Sequence, residues 1–308
     1  MKTAPPPVCL AIAGHDPSGG AGIGADIEAI AAAGCHATSL ITALTVQNSR
    51  NVYGVQPVPQ GGLRAQLRCL LVDLPPAAVK IGLVPNATIA QWLAEDLATL
   101  NVPMVLDPVL VATGGGRLAE QGMAAVLMET LLPLCAVATP NHRELRELYR
   151  AAATDPLPEA SLATMASALR ARGCGSVLIT GGDAGFAPWT EDLCFTPAPE
   201  PLVHRQRRLK GPFHGSGCTL SSSLAAYLAL GHALPQALTL AQEATHAALL
   251  AAVKPVQATQ AMPRRIRCCI APIRNPPYAP GAPHQPHQGL QPAPTPGTAT
   301  GDDGILEG

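Results

Sequence analysis

The sequence lacks several features that would assign it to particular classes of protein. Its 20 Lys and Arg and 21 Asp and Glu leave a formal net charge of −1 over 308 residues, and the two signs are interspersed. A basic surface for nucleic acid or for an anionic membrane is therefore not expected. No apolar run approaches the roughly 20 residues that a bilayer-spanning helix needs. These absences favour a small-molecule partner, with no nucleic acid and no membrane.

The nine cysteines also lack the spacing of a zinc site or a disulfide framework. No C-x-x-C pair occurs, and Cys268 and Cys269 are adjacent, which is awkward for an ordinary structural disulfide. The apolar run near the start of the chain is too short for a signal peptide. We therefore expect reduced thiols in a cytoplasmic protein. Six cysteines that fall singly in predicted strands and helices are expected to fill the core, namely Cys9, Cys35, Cys69, Cys135, Cys174 and Cys194.

What the chain does contain is an alternation of apolar runs with helical patterns. Runs that are apolar on both faces are typical of buried parallel strands. They cover residues 8–14, 39–46, 77–82, 103–109, 136–140 and 176–180. The alternation predicts an α/β fold of consecutive βαβ units around a central, mainly parallel sheet with helices on both faces.

The last third of the chain changes character. Residues 192–196 and 202–210 predict a β-hairpin, and two helices follow at 217–230 and 234–253. Beyond that, proline is dense and periodic apolar residues are missing, so the segment cannot bury enough surface to offset its ordering entropy. We predict one folded domain over 1–260 and a proline-rich, disordered tail over 261–308.

A first glycine-rich turn, "AGHDPSGGAGIGADI", leads from a predicted strand into a helix. Its glycines are not in the register of the dinucleotide-binding fingerprint, so a dinucleotide site is poorly supported. They do allow the backbone to approach a ligand closely, and Asp26 follows on the first turns of the helix. The alternative is a tight structural turn with an exposed aspartate.

A second glycine-rich turn, "FHGSGCTLSSSLAAYLALG", also opens a helix. The backbone N–H groups of residues 216–218 would be unpaired donors at the helix N-terminus, which suits an anion. Because a helix N-terminus lowers the pKa of a cysteine, the thiolate of Cys218 should be favoured. The alternative is that Cys218 is a small buried hydrophobic residue.

Together these turns and four further segments resemble a known family. "AIAGHDPSGGAGIGADI", "LITALTVQNS", "AVKIGLV", "VLDPVLVATGG", "ATPNHREL" and "HGSGCTLSSSLAAYLALG" look like the successive motifs of the hydroxymethylpyrimidine/phosphomethylpyrimidine kinases of thiamin biosynthesis. The resemblance covers about residues 10–255. It implies a ribokinase-like three-layer α/β/α sandwich. The implied reaction is ATP-dependent phosphorylation of 4-amino-5-hydroxymethyl-2-methylpyrimidine to the monophosphate and then to the diphosphate.

The resemblance also implies a set of residues that contact the pyrimidine. Asp26 and Gln47 should meet the ring, and the amide of Gln47 can pair with a ring nitrogen and the exocyclic amine. Gly14 and Val46 should add backbone or apolar contacts. Leu83 stands where many relatives have methionine, a near volume-conserving change for an apolar ring wall.

For catalysis the resemblance points to the second glycine-rich turn. It makes Gly215, Ser216 and Gly217 an anion hole over the transferring phosphoryl group. Cys218 stands where ribokinase itself has an aspartate base. It would take or relay the proton of the hydroxyl, late in the reaction, because a primary alcohol is a very weak acid.

The resemblance places the cation and the nucleotide at neighbouring strand ends. Asp107 and Glu144 are the implied ligands of Mg²⁺, although Glu144 is alternatively a helix N-terminal acid that complements the dipole. Thr180, Gly182 and Lys80 are the implied contacts to ATP. Thr180 replaces a lysine that many relatives carry, and Lys80 is alternatively a strand-end lysine that snorkels to solvent.

Two other functions remain open from the sequence. A pyridoxal or pyridoxine kinase would use a similar sheet and a similar cysteine turn. A non-catalytic pyrimidine-binding domain would keep the pocket without the chemistry, although the intact acids and glycine turn argue against it. Homodimers are common among the relatives, so a homodimer is also an expectation.

Overall fold

A computed structural model describes residues 5–112, 115–152, 160–182, 188–255 and 258–265. The strands of this part are β1 Val8–His15, β2 His36–Gln47, β3 Val52–Pro57, β4 Ala78–Ile81, β5 Met104–Leu106, β6 Val137–Ala138, β7 Ser176–Ile179, β8 Trp189–Phe195 and β9 Leu202–Arg207. They form one sheet in the order β3-β2-β1-β4-β5-β6-β7-β8-β9. The central six strands are parallel, while β3, β8 and β9 pair antiparallel at the two edges.

Helices cover both faces of this sheet. They are α1 Gly22–Ala33, α2 Gln60–Asp73, α3 Ala87–Leu97, α4 Met123–Glu129, α5 His142–Ala151, α6 Leu162–Ala171, α7 Ser216–Ala229 and α8 Leu234–Leu250, with a short 3₁₀ helix at Leu132–Leu134. None of the helices in the described ranges is both long enough and apolar enough to cross a membrane.

Alternation along the buried strands divides the apolar core into two layers. In β1, Leu10 and Ile12 pack with residues of α2 to α6 on one face. Cys9 and Ala11 pack with α1, α7 and α8 on the other face. The predicted three-layer α/β/α architecture with a mainly parallel sheet is confirmed, because strands buried on both faces need a helical layer on each.

The strand β3 was absent from the sequence prediction, and helix α5 was indicated there only by the alternative role of Glu144 at a helix N-terminus. The edge strand β3 carries Gly54 and polar residues, so it lacks the apolar pattern of the central strands. Helix α5 is highly charged and buries Leu145 and Leu148 along one stripe. Edge strands and strongly charged helices contribute little apolar sequence, and both form because of their neighbours in the fold.

The C-terminal segment of residues 258–265 packs against the domain. Thr259 donates to the carbonyl oxygen of Ser49 (2.9 Å), and the backbone N–H of His214 donates to the carbonyl oxygen of Ala261 (2.9 Å). Ordered packing therefore continues five residues past the predicted boundary at 260. Residues 266–308 lie outside the described residues, so the disordered tail stays a prediction.

The predicted core role of the single cysteines holds at five of the six positions. Those five are buried, namely Cys9, Cys35, Cys135, Cys174 and Cys194. Cys69 is exposed on α2, so the prediction was wrong there. The reason is the face of the helix: Leu63 and Leu67 form its buried stripe, and position 69 lies outside it.

Candidate active site

The carboxyl ends of the parallel strands meet at one edge of the sheet, where a cavity of about 610 Å³ opens. This is the usual ligand position in an open α/β sheet. Twelve of the fourteen predicted site residues line this cavity: Gly14, Gln47, Lys80, Leu83, Asp107, Glu144, Thr180, Gly182, Gly215, Ser216, Gly217 and Cys218. Among the described residues that line the cavity, Asp26 and Val46 are not included.

The two glycine-rich turns pack directly against each other. Gly215 has a φ of +87°, and a Cβ added there would overlap the carbonyl group of Gly20. Gly215 is also the N-cap of α7. Because glycine has no side chain, it leaves the first backbone N–H groups of that helix uncapped. The N-terminus of α7 thus provides donors for an anion beside the first turn.

A cluster of buried charges lies beneath these turns. Lys80 has no exposed surface, and its Nζ lies 2.8 Å and 2.9 Å from the two carboxylate oxygens of Asp26. The same Nζ lies 3.9 Å from Oδ2 of Asp107. Ser222 donates to Asp26 (2.7 Å) and Ser221 donates to Asp107 (3.1 Å). One ammonium group is therefore shared between two carboxylates, and helix α7 supplies the hydroxyls.

This cluster corrects two predictions about Asp26 and Lys80. Asp26 has no exposed surface and both its oxygens face Lys80, so it is neither a contact to the pyrimidine nor an exposed turn residue. Lys80 does not snorkel, because its ammonium stays buried in this ion pair. Its charge is directed to carboxylates, and burial, which lowers its pKa, is outweighed by the charges of Asp26 and Asp107, which raise it.

The side chain of Val46 points away from the cavity, so an apolar contact from it to a ligand there is not supported. Its side chain is 66% exposed, whereas Gln47, the next residue of β2, lines the cavity. Successive side chains of a strand point to opposite faces, so both residues cannot line the same cavity wall.

The pKa of Cys218 is shifted upward, whereas the sequence predicted a downward shift. Its thiol is partly buried, and burial together with the charges of Asp26 and Asp107 raises the pKa to about 12. The nearby Lys80 ammonium and the N–H of Gly22 act in the other direction but are outweighed. The thiol is therefore protonated at neutral pH, and it interacts with the carboxylate of Asp107.

The two implied metal ligands both reach the cavity. Asp107 follows β5, and burial raises its pKa while Lys80 and the Ser221 hydroxyl oppose the rise. Glu144 accepts from the N–H of Asn141 (3.0 Å) and closes the capping box of α5. The helix-terminal role of Glu144 is thus present together with its place in the cavity lining. Two carboxylates at one cavity suit Mg²⁺, which takes one or two carboxylates plus phosphate oxygens.

Sequence reasoning missed a histidine and an aspartate in this site. Nε2 of His214 lies 2.7 Å from Oδ2 of Asp16 and 3.2 Å from Nε2 of Gln47. Asp16 also accepts from the backbone N–H groups of Ser18 (2.9 Å) and Ala21 (3.0 Å). Burial tends to raise the pKa of Asp16, but the hydrogen bonds from His214 and Ser18 hold it below its ordinary value. The available signal was the position of each residue directly beside a glycine-rich turn.

The turn after β7 holds a cation as well. Nη1 of Arg208 donates to the carbonyl oxygen of Gly182 (2.7 Å), and Nη2 donates to that of Gly181 (3.2 Å). Thr180 in the same turn carries no charge, and Arg208, the residue after β9, brings a positive charge to this turn.

This geometry agrees with what comparison with known proteins shows. The sequence profile of the phosphomethylpyrimidine kinases matches residues 16–262. The chain belongs to this family. A curated family member from Synechococcus elongatus, named hydroxymethylpyrimidine/phosphomethylpyrimidine kinase, is 39% identical over 241 residues, which cover 78% of this chain and 89% of the relative.

Comparison with solved structures places this chain among the ribokinase-like kinases. A phosphomethylpyrimidine kinase from Clostridium difficile superposes with a TM-score of 0.66 at 30% identity, over 79% of this chain and 99% of that one. An ADP complex of Bacillus subtilis pyridoxal kinase superposes with a TM-score of 0.74 at 29% identity, over 84% and 97%. The family is thus one of nucleotide-binding kinases with small-molecule substrates.

Proposed function

We infer that this protein is a hydroxymethylpyrimidine/phosphomethylpyrimidine kinase of thiamin biosynthesis. The observation that carries the inference is the cavity itself, where the motifs of the family meet at the ends of six parallel strands. The enzyme transfers a phosphoryl group from ATP to the hydroxymethyl group of 4-amino-5-hydroxymethyl-2-methylpyrimidine and then phosphorylates the product again.

The pyrimidine is proposed to lie between the ends of β1, β2 and β4. Gln47 offers its amide to the ring edge, and Leu83 forms an apolar wall beside Gly14. A Cβ at position 14 would lie 2.6 Å from Cδ2 of Leu83, so only glycine leaves this wall in place. A flat ring against an apolar wall with one amide at its edge is a typical small-molecule site.

We propose that Cys218 relays the proton of the reacting hydroxyl. The hydroxyl oxygen forms a bond to the γ-phosphorus of ATP while the bond to the leaving ADP oxygen breaks. The hydroxyl proton passes to Sγ of Cys218, and the thiol proton passes to one carboxylate oxygen of Asp107, which the thiol contacts, so that the other oxygen is left for the cation. No thiolate is needed before the transfer begins, in keeping with the raised pKa of the thiol. The N–H groups at the start of α7 stabilise the charge on the transferring phosphoryl group.

Asp107 and Glu144 are the residues that would hold Mg²⁺. When bound, the ion neutralises charge on the phosphate oxygens of ATP. Thr180, Gly182 and Arg208 are proposed to contact the nucleotide phosphates from the turn after β7, where Arg208 supplies the positive charge.

A coupled assay of ADP release with magnesium-ATP tests this function. Hydroxymethylpyrimidine should be turned over, and phosphorus NMR of the products should show the monophosphate followed by the diphosphate. Binding of the pyrimidine without ADP release would instead establish a non-catalytic binding domain. A spectrum with the monophosphate alone would limit the enzyme to the first step.

Pyridoxal kinase activity is the second candidate, because the Bacillus subtilis pyridoxal kinase superposes closely on this chain. The same assay with pyridoxal and pyridoxine separates the two. Turnover of pyridoxal far above that of the pyrimidine would replace the first assignment.

A further inference from the structure

The side-chain amide of Gln47 lies between two polar side chains that have no part in the mechanism proposed above. Nε2 of His214 lies 3.2 Å from its amide on one side, and Oγ1 of Thr45 lies 3.2 Å from it on the other. His214 is 6% exposed and Asp16 is 4% exposed, so the pair behind Gln47 is buried. Gly20 packs on the imidazole, and a Cβ there would overlap the ring.

The proton positions in this array follow from its acceptors. Asp16 is an ionised acceptor at neutral pH, since its pKa lies below the ordinary value. Its Oδ2 lies 2.7 Å from Nε2 of His214, so this nitrogen must carry a proton. Nδ1 of His214 has no hydrogen-bond partner among the described residues. A buried N–H there would be unsatisfied, so the neutral ring with its proton on Nε2 fits best.

These proton positions decide the orientation of the Gln47 amide. A protonated Nε2 of His214 cannot accept, so it must face Oε1 of Gln47. Thr45 has a single hydroxyl proton, which it donates to the carbonyl oxygen of His15 (2.8 Å). It therefore accepts from an N–H of Gln47. Both neighbours favour the amide oxygen toward His214 and the amide nitrogen toward Thr45, the reverse of the arrangement in which Nε2 of Gln47 lies 3.2 Å from His214 and Oε1 lies 3.2 Å from Thr45. The single Nε2–H of His214 is then shared between Oδ2 of Asp16 and Oε1 of Gln47.

We propose that His214, held by Asp16, is a positioning residue that locks the Gln47 amide in one orientation and so selects substrates with an amine next to a ring nitrogen. This proposal rests on the kinase function proposed above. In the locked orientation Gln47 keeps one N–H and one oxygen lone pair for the ligand. A ring nitrogen beside an exocyclic amine matches both groups.

The same lock disfavours the pyridine alcohols. In pyridoxine the ring nitrogen and the phenolic hydroxyl are separated by the carbon that carries the methyl group. The amide of Gln47 can therefore satisfy only one of them. If the amide could rotate freely, it would adapt to either polar group, so loss of His214 should reduce selectivity as well as affinity.

The test compares His214→Phe with His214→Gln. Phenylalanine keeps a flat ring against Gly20 but removes the donor, whereas glutamine returns an N–H near the position of Nε2. We expect His214→Phe to raise the KM for hydroxymethylpyrimidine about tenfold or more and to lower the selectivity over pyridoxine by a similar factor. The KM for ATP should change by less than about twofold, and His214→Gln should recover most of the loss.

A double-mutant cycle with Gln47→Ala separates positioning from a general effect on folding. If His214 acts through Gln47, His214→Phe should cost little more once Gln47 is absent. Losses that multiply in the double variant would overturn the proposal, as would equal losses in His214→Phe and His214→Gln. The same would follow if the selectivity of His214→Phe were unchanged.

Calorimetric binding of the pyrimidine to the same variants separates failure of this proposal from failure of the kinase function. Wild-type protein that binds the pyrimidine without turnover would contradict the kinase function, while the binding constants of the variants would still test the positioning role. Wild-type protein that binds no pyrimidine would overturn both.

Discussion

At the scale of single residues, the chemistry of the site depends on a small buried charge cluster. Lys80 balances Asp26 and Asp107, and the Cys218 thiol lies beside them. A thiol in this environment is kept protonated, because burial and two neighbouring carboxylates oppose the thiolate. In the proposed mechanism the thiol therefore acts as a relay, which gains one proton as it loses another, and Asp107 is as important to that mechanism as the cysteine.

Replacing Cys218 with alanine should slow turnover without weakening substrate binding. We expect kcat to fall about 100-fold, the usual contribution of a proton-transfer group, while the KM for the pyrimidine stays within about threefold. Steady-state kinetics measure both. The matched control is Cys69→Ala on the exposed face of α2, which should match wild type. Unchanged turnover in Cys218→Ala would leave the backbone N–H groups as the catalyst.

Replacing Lys80 with methionine should destabilise the fold, because two buried carboxylates lose their cation. We expect a loss of about 3–5 kcal/mol in the free energy of unfolding, measured by urea titration. The variant Lys80→Met/Asp26→Asn keeps the Ser222 hydrogen bond and removes both charges of the pair. It should regain much of the stability. Equal stability of the single variant and wild type would show that the ion pair is not needed for folding.

Replacing Arg208 with glutamine should raise the KM for ATP about tenfold with little change in the KM for the pyrimidine, because a charged hydrogen bond to phosphate is lost. Arg205→Gln is a suitable control, since Arg205 lies on β9 three residues before Arg208 and pairs with Glu191. An unchanged KM for ATP would assign Arg208 to bracing the 181–182 turn alone.

At the scale of elements, the site is built where the N-termini of α1 and α7 come together. Each helix follows a glycine-rich turn, and the two turns contact each other at Gly20 and Gly215. Ser221 and Ser222 of α7 reach across to Asp107 and Asp26, so this helix also orients the buried charges. Helix α7 therefore combines the proposed anion site, the cysteine and the support of both carboxylates.

Gly215→Ala should disrupt this junction. The position has a φ of +87°, and an added Cβ would overlap the backbone of Gly20. We expect the variant to lose about 1–3 kcal/mol of stability and most of its kcat, since the donors of α7 shift from the phosphoryl group. Thermal melting and kinetics report the two effects. The control is Gly231→Ala. Gly231 follows the same helix with a φ of +83°, and an added Cβ there would meet only open space. It should lose stability but keep its kcat.

At the scale of the whole molecule, the C-terminal segment of residues 258–265 closes over the two turns. Arg265 donates to the hydroxyl of Thr219 (2.9 Å), to the carbonyl oxygen of Gly20 (2.7 Å) and to Glu28 (2.9 Å). Its side chain is only 2% exposed. The segment thus ties the start of α7 to the first turn from outside the sheet.

Truncation before and after this segment should separate its effect from that of the residues beyond it. A chain that ends at residue 257 should melt about 5 °C lower and show a higher KM for the pyrimidine, because His214 loses its backbone partner Ala261. A chain that ends at residue 265 should match the full chain in melting temperature and kinetics. Equal melting temperatures for the two truncated chains would show that the segment does not stabilise the site.

Local pattern explains which parts of the fold and site could be predicted. The central strands were recognisable because burial on both faces leaves continuous apolar runs, and Gly215 to Cys218 because a glycine-rich turn opens an apolar helix. The edge strand β3 has no such pattern, and helix α5 was indicated only by the possible helix-terminal role of Glu144. Asp26 was misassigned because its position beside a glycine turn does not reveal whether it faces a ligand or the buried Lys80.

The sequence by itself determined the fold class, the edge of the sheet at which the candidate site lies, and the family, because these follow from local patterns and ordered motifs. Only the tertiary structure decided which polar groups pair with each other. Lys80 lies 54 residues from Asp26, and His214 lies 198 residues from Asp16. Such long-range contacts set the protonation of Cys218 and the orientation of Gln47, because both depend on burial and on neighbouring charges that no local segment contains.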